Sequence, residues 1–158
     1  MYKKIKRVYV DTSVVLGRFD IDETRRQQTE VFWQAVQNGE IIAVLSNVLR
    51  NELKDDNVER VLRFFAELPE SHIERIAATD ESDNLAEQYI AESVVGRGSL
   101  SDCKHVAIAT LYADGIVSWN LGDMVKRAKQ YNSVNKTQGY PKIKIVTPNK
   151  YKEIDHET

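Results

Sequence analysis

The sequence Val8-Tyr9-Val10-Asp11-Thr12-Ser13 joins a short apolar run to an acidic residue and two hydroxyl side chains. Three residues of strand type are followed at once by a carboxylate, at the point where a buried strand would lead into a helix. In open α/β sheets, ligands bind at this carboxyl edge of the strands. Asp11 is therefore the first candidate for a functional residue.

Outward from this stretch, strand and helix patterns alternate along the chain. The run Ile41–Leu45 is apolar without interruption, which is typical of a strand covered on both faces in a parallel sheet. The other predicted elements are strands at Ile73–Ala77, Ile116–Ser118 and Lys142–Val146, and helices at Glu23–Asn38, twice between Ser46 and Pro69, at Asn84–Val94, at Asp102–Tyr112 and from about Met124 to Val134. The alternation predicts an α/β fold with a mainly parallel sheet and helices on both sides.

Length and composition favour one soluble domain. A chain of 158 residues, 42% of them hydrophobic, can bury one core, so we expect a single domain over residues 1–158. Cys103 is the only cysteine, which excludes an intrachain disulfide and fits a reducing cytoplasm. The apolar stretch near the N-terminus is interrupted by Asp11, too early for a signal peptide or a membrane span. We therefore expect a cytoplasmic protein that does not enter a membrane.

Charge is unevenly distributed, although the net charge is only −2. Residues 20–95 carry seven basic and seventeen acidic side chains, whereas residues 96–152 carry ten basic and three acidic ones. The second segment can present a basic face to a polyanion. The alternative is that these charges lie on ordinary solvated helix faces. The candidate phosphate contacts in the basic segment are Arg97, Lys104, Lys126 and Arg127.

Four more polar side chains lie at the ends of predicted elements. Asp102 lies in the first turn of a helix, where the helix dipole favours a negative charge. Asn120 and Asp123 follow a predicted strand, and Glu52 lies on the inward side of its helix, at the border of the core. Together with Asp11, these residues predict one acidic pocket assembled from four distant segments.

An acidic pocket needs a compensating charge. Two carboxylates ~4 Å apart repel each other by about 4 kcal/mol at an effective dielectric constant near 20. Divalent cations offset this repulsion, and oxygen ligands select Mg²⁺ or Mn²⁺ over zinc. We expect Asp11 to be the central metal ligand, with Glu52 and Asp102 completing or orienting the site. Asn120 or Asp123 would serve a second, weaker position. Such a site suits metal-assisted hydrolysis of a phosphodiester by an activated water.

Several segments resemble the motif regions of a known family. They are Val8–Ser13, Ser46–Leu53, Asp102–Thr110 and Val117–Asn120, with Lys142–Pro148 similar to a closing strand. These segments, in this order, resemble the PIN-domain family. Proteins of that family are metal-dependent ribonucleases specific for single-stranded RNA with a three-layer α/β/α fold, and many bacterial members are toxins of type II toxin–antitoxin modules.

The resemblance implies catalytic carboxylates at Asp11, Glu52 and Asp102, with Thr12 or Ser13 supporting the first of them. It also implies a cognate antitoxin as partner and a homodimer. The expected activity is that of an endoribonuclease that cleaves single-stranded RNA with Mg²⁺ or Mn²⁺.

Two positions of the motif regions leave alternatives open. Where most members of the family carry an aspartate after the fourth strand, this chain has Asn120, and Asp123 follows three residues later. An amide oxygen can coordinate a metal but brings no negative charge, so a second ion should bind less tightly. His105 lies on the same helical face as Asp102, so it can hydrogen-bond that carboxylate, contact a phosphate or line the pocket wall.

Two other functions compete with the nuclease. A PIN-fold protein with weak catalysis would act as a module that binds RNA or a protein partner. A phosphatase would use Asp11 as a covalent nucleophile, but it would need an acid two residues later, where this chain has Ser13.

Overall fold

Helices and strands alternate along residues 4–155, which are the residues that the computed structural model describes. The strands are β1 (Lys6–Val10), β2 (Ile41–Ser46), β3 (Ile73–Ile76), β4 (Gly115–Val117) and β5 (Ile145–Val146). The α-helices are α1 (Thr12–Gly17), α2 (Glu23–Gln37), α3 (Asn47–Glu52), α4 (Asp55–Ala66), α5 (Asp80–Ala91), α6 (Leu100–Tyr112) and α7 (Ala128–Thr137). Short 3₁₀ segments lie at Glu70–His72, Arg97–Ser99, Val125–Arg127 and Pro148–Asp155. The two ends of the predicted domain 1–158, residues 1–3 and 156–158, lie outside the described residues.

The five strands form one sheet in the order β3-β2-β1-β4-β5. All four pairings between neighbours are parallel, which confirms the predicted parallel sheet. β1 lies in the centre, where Val8, Tyr9 and Val10 are completely buried. Because parallel strands end at the same edge, the residues that follow β1, β2 and β4 are neighbours in space although they are far apart in the chain.

Helices cover both faces of the sheet, as the alternation predicted. Val8 and Val10 point to one face, where α1, α2 and α4 pack with the C-terminal 3₁₀ segment. Tyr9 points to the opposite face, which is covered by α5, α6 and α7. This alternation follows from the period of two along a strand. The result is the three-layer α/β/α architecture that the family resemblance implied.

Several predicted elements differ from the structure. α1 was not predicted, and the helix predicted at Asn84–Val94 is α5, which begins at Asp80 and ends at Ala91. The helix predicted from Met124 to Val134 is a 3₁₀ turn, Val125–Arg127, followed by α7. The strand predicted at Lys142–Val146 is shortened to the two residues of β5. The backbone of Ile143 bonds with the side chain of Asn132 and not with a strand: its N–H donates to Oδ1 at 2.7 Å and its carbonyl accepts from Nδ2 at 2.8 Å.

None of the helices in residues 4–155 combines the length and the apolar character that crossing a bilayer requires.

Candidate active site

Asp11 lies directly after β1, at the carboxyl edge of the sheet, and only 4% of its surface is exposed. Its Oδ2 accepts hydrogen bonds from the hydroxyls of Ser13 and Ser118, both at 2.7 Å. Its Oδ1 lies 3.3 Å from Nε2 of His105. Two hydroxyl donors and a ring nitrogen therefore fix the orientation of a buried carboxylate, which is unfavourable to bury without such partners.

Glu52 is the last residue of α3, and 27% of its side-chain surface is exposed. Its Oε1 accepts from the hydroxyl of Thr12 at 2.5 Å and lies 2.5 Å from Nε2 of His105. Its Oε2 accepts from the hydroxyl of Ser101 at 2.9 Å. Burial raises the pKa of Glu52, but the hydrogen bond and charge of His105 and the two hydroxyl donors outweigh it and lower the pKa to about 2. Glu52 is thus an ionised group between the core and solvent.

His105 is completely buried in α6 and links both carboxylates to the interior. Its Nδ1 lies 2.6 Å from the hydroxyl of Tyr9, which lies 2.7 Å from the hydroxyl of Ser46. Burial lowers the pKa of His105, but the hydrogen bond to Glu52 and the charges of Asp11 and Glu52 outweigh it and raise the pKa above its ordinary value. The carboxylate that bonds Nε2 of His105 is Glu52. One of the sequence alternatives had named Asp102 instead. The burial of His105 favours a positioning role over contact with a phosphate.

Asp102 lies in the first turn of α6, next to the same pocket. Its pKa is raised to about 6, first by burial and then by the negative charge of Asp11, with smaller contributions from Asp123 and Glu52 and an opposing one from His105. The first-turn position predicted from the sequence is observed, and burial together with the charge of Asp11 keeps the pKa raised there. The pKa of Asp102 therefore depends on the charges of the neighbouring ionisable side chains.

The tightest group of possible metal ligands contains Asp11, Glu52 and His105. One ligand atom of each lies within 4.8 Å of the other two, and no other such group of three occurs in the part of the chain that the structure describes. Asp102, which the sequence analysis named as a ligand in place of His105, lies outside this group. The donors fit a hard divalent cation, because the carboxylate oxygens of Asp11 and Glu52 lie close together beside Asp102, whose pKa is raised by burial and by repulsion from Asp11. A cation between them would relieve that repulsion.

Asn120 and Asp123 form a tight turn after β4. The side-chain amide oxygen of Asn120 accepts from the backbone N–H of Asp123 at 3.1 Å. The backbone N–H of Asn120 donates to the hydroxyl of Ser118 at 2.9 Å. The carboxylate of Asp123 accepts from the hydroxyl of Ser99 at 3.0 Å. The turn thus brings Asp123 to the beginning of α6, close enough to influence Asp102, while the Asn120 oxygen faces back into the turn. Their catalytic role stays a prediction.

The predicted phosphate contacts differ in how free they are. Arg97 is paired with Glu87 through both terminal guanidinium nitrogens, Nη2 at 2.8 Å and Nη1 at 3.2 Å. Arg127 donates to the carbonyls of Gly122 and Val94. Lys104 is half-buried, and Lys126 is exposed. Among the described residues, neither lysine forms a hydrogen bond or ion pair through its ammonium group, so they are the freer of these candidates to meet a phosphate.

The sequence analysis missed four polar residues of the site. Ser118 and Ser101 donate to Asp11 and Glu52, and Tyr9 with Ser46 supports His105. Tyr9 was counted as an apolar strand residue, so its hydroxyl received no role. Ser118 stood inside a recognised motif, and its position at the end of a strand was the signal that could have identified it.

Comparison with known proteins identifies the fold. A scan against protein-family models gives no match, and a search of curated protein sequences gives none either. Among solved structures, the chain is similar to VapC20 of Mycobacterium tuberculosis, a toxin described as cleaving the sarcin–ricin loop. The TM-score is 0.55 with 12% sequence identity, over 87% of this chain and 98% of VapC20. The parallel sheet with helices on both faces is the architecture shared with VapC20: this chain has the PIN fold.

Proposed function

We propose that the protein is an endoribonuclease that cleaves single-stranded RNA with Mg²⁺ or Mn²⁺. The observation that supports this most is the meeting of Asp11, Glu52 and His105 at one edge of the sheet, from three elements far apart in the sequence. Asp102 lies close enough for the charge of Asp11 to raise its pKa. The likeness to VapC20, a toxin described as cleaving the sarcin–ricin loop, adds support for RNA as substrate. By the same likeness, we propose that the protein is the toxin of a toxin–antitoxin pair.

The side chains divide the work of such a site. Asp11 and Glu52 would hold the cation, and Asp102 would complete its surroundings. When bound, a divalent cation lowers the pKa of a water and stabilises the leaving oxygen of the phosphodiester. The hydroxyls of Ser13, Ser118 and the other donors keep the carboxylates oriented, because a ligand that is already oriented loses less entropy on binding.

The substitution Asp11→Asn tests this function. It keeps the shape of the side chain but removes the charge of the central ligand, so we expect metal-dependent cleavage of mixed cellular RNA to fall by about a thousandfold or more. Asp83→Asn, an exposed acid on α5, is the matched control and should cleave like the parent protein. Circular dichroism and thermal unfolding establish that both variants fold. Full metal-dependent activity in folded Asp11→Asn would overturn the assignment.

The main alternative is a PIN-fold module that binds RNA or protein without efficient catalysis. The observation that favours it is the amide oxygen of Asn120, which is already bonded to the backbone of Asp123 and brings no charge to a second ion. A titration with Mn²⁺ separates the two functions, because a module without chemistry leaves the RNA intact at every metal concentration.

The geometry of the site gives little support to the phosphatase alternative. Ser13, at the position where an acid would be needed, donates a hydrogen bond to Asp11 and accepts one from the backbone N–H of Trp119 at 2.9 Å. Turnover of a small phosphate ester faster than that of RNA would restore this alternative.

The predicted partners remain to be tested. A cognate antitoxin, homodimerisation and a cytoplasmic location are expectations drawn from the family resemblance and the composition. Size-exclusion chromatography with light scattering measures the oligomeric state, and co-purification with the product of an adjacent reading frame tests the antitoxin.

A further inference from the structure

The segment from residue 124 to residue 152 is strongly basic. It contains eight lysine or arginine residues and no aspartate or glutamate. Four of the eight, Lys129, Lys136, Lys142 and Lys144, lie on α7 or on the chain that leads into β5, beyond β4. Lys150 and Lys152 lie in the C-terminal 3₁₀ segment, which packs against α2.

An open groove of about 810 Å³ runs between α7 and the chain that leads into β5. Lys129 and Lys136 line its helical wall, and Lys142 and Lys144 line the opposite wall. The helical pair lies on one face, because seven residues are close to two turns and about 10 Å of rise. The opposite pair shares a face, because alternate residues of an extended chain point the same way.

The two walls are held together by Asn132, so the groove has a fixed width. Its side chain bonds both backbone groups of Ile143, at 2.7 and 2.8 Å. The lysines themselves are not neutralised: within residues 4–155, none of the four ammonium groups forms an ion pair. Glu153 is the one acidic residue at the groove.

The groove begins beside the candidate active site. β4 ends at the carboxyl edge of the sheet, and α7 must return to the other edge so that β5 can run parallel to β4. The beginning of α7 therefore lies near the turn of Asp123, and the hydroxyl of Tyr131 on α7 donates to the Asp123 carbonyl at 2.8 Å. A chain that leaves the acidic pocket on this side meets the basic groove next.

The ring of Tyr140 adds a second kind of contact. It lines the groove while its hydroxyl donates to Glu81 at 2.9 Å, so the ring is held in place. Surfaces that bind single-stranded nucleic acid without sequence preference combine a positive groove along the backbone with aromatic rings on which bases stack.

We infer that the groove between α7 and β5 binds the phosphodiester backbone of single-stranded RNA on one side of the cleavage point. The four lysines neutralise phosphates, and the groove lets the protein contact several nucleotides beyond the active site. This inference rests on the proposed nuclease function for its place in the reaction, but not for the binding itself.

Equilibrium binding tests the groove without cleavage. In metal-free buffer, with the Asp11→Asn background, the affinity for a labelled oligouridylate is measured by fluorescence anisotropy across salt concentrations. Replacing all four lysines by glutamine should weaken binding about tenfold or more and reduce the slope of log affinity against log salt by about 2–3, since each phosphate contact on a single strand contributes about 0.7. An unchanged slope would overturn the inference. A protein segment would then be the alternative occupant of the groove.

Two controls separate charge from folding and from position. The same four lysines replaced by arginine keep the charge and should keep the slope. Arg60→Gln with Arg63→Gln removes charge from α4, on the opposite face of the sheet, and should leave the slope unchanged. A slope lowered equally by the α4 pair would contradict a specific groove.

Cleavage kinetics, in the background with Asp11 intact, distinguish this inference from the nuclease proposal. The glutamine variant should lose kcat/KM on a long RNA about tenfold but cleave a dinucleotide as the parent does, because a dinucleotide does not reach the groove. If neither protein cleaves RNA but the salt slope still falls, the groove is supported and the nuclease is not. If both cleave long RNA equally and the slope is unchanged, the groove is overturned and the nuclease stands.

Discussion

At the scale of single residues, the site depends on a chain of buried polar contacts. Ser46, Tyr9, His105 and Glu52 bond one after another, from the end of β2 to the solvent-facing carboxylate. Within residues 4–155, every buried side-chain nitrogen and oxygen has a hydrogen-bond partner. A buried network that is fully paired fixes one arrangement, whereas an unpaired member costs the full desolvation penalty.

Tyr9→Phe tests this chain of contacts. The substitution leaves Nδ1 of His105 without its partner, so we expect the free energy of unfolding to fall by about 1–3 kcal/mol and cleavage to fall about tenfold or more because Glu52 is less firmly held. Urea denaturation and the RNA assay measure the two effects. Tyr89→Phe is the matched control: its buried hydroxyl bonds Asn135 at 2.5 Å, away from the site, so stability should fall and cleavage should not. Equal loss of cleavage in both variants would contradict a specific role.

Single residues also show how far the sequence could predict the site. Asp11 was identified because it directly follows a buried strand, at the edge of the sheet where ligands bind, and Glu52 because it lies on the inward side of its helix. His105 could be assigned no single partner, because the spacing along α6 suggested Asp102, whereas the carboxylates of Asp11 and Glu52 approach from other elements. Contacts between distant segments depend on side-chain rotamers, which the pattern of the sequence does not specify.

At the scale of elements, the amino edge of the sheet carries an ion pair that spans three strands. Arg7 on β1 reaches over β2 and donates from Nε and Nη2 to both oxygens of Glu74 on β3, each at 2.6 Å. About a third of each side chain is exposed. Because water screens such a pair, its contribution to stability is about 0.5–1 kcal/mol despite the bidentate geometry.

The pair predicts a pH dependence of stability. The hydrogen bonds from Arg7 lower the pKa of Glu74, so its stabilising effect is complete above the ordinary glutamate pKa and is lost as the pH falls through the lowered value. Glu74→Gln should therefore be less stable than the parent by about 0.5–1 kcal/mol near neutral pH, with the difference vanishing in acid. Urea denaturation across pH measures it. A constant deficit in Glu74→Gln at all pH values would refute the ion-pair explanation.

Elements were predicted well where hydrophobic periodicity determines the secondary structure. They were predicted poorly where a hydrogen bond from a distant side chain determines it. Ile41–Leu45 was identified as a buried parallel strand because no polar residue interrupts it, and it forms most of β2. The last strand was predicted too long because Lys142–Val146 alternates correctly, yet Asn132 takes the backbone bonds of Ile143. When a helix side chain takes the hydrogen bonds that a neighbouring strand would make, the hydrophobic pattern of the sequence does not show it.

At the scale of the whole molecule, acidic and basic surfaces meet at one edge of the sheet. The carboxylate cluster follows β1 and β2, and the basic groove follows β4. The field of the groove attracts a polyanion that the acidic pocket alone would repel, and a divalent cation reverses the sign at the pocket itself. The net charge of −2 conceals this separation.

Metal binding should stabilise the fold. A cation that binds the native site at 100 times its dissociation constant contributes about 2.7 kcal/mol, which corresponds to a rise in Tm of about 5–10 °C for a chain of this size. We expect Mn²⁺ to raise Tm and a chelator to reverse the rise, measured by differential scanning fluorimetry. Asp11→Asn should lose most of the shift, while the Asp83→Asn control keeps it. A parent protein whose Tm does not respond to Mn²⁺ or Mg²⁺ would argue against the metal site.

The bond between Asn132 and Ile143 also decides how copies of this sheet can join. The carbonyls of Lys144, just before β5, and of Val146 face β4, so the backbone groups of Ile143 face outward, where an added strand would pair. Asn132 occupies both of them, so lateral growth by strand addition is blocked on this flank. Within the described chain, association that continues the sheet from one copy to the next is therefore directed to β3, at the far end from the groove.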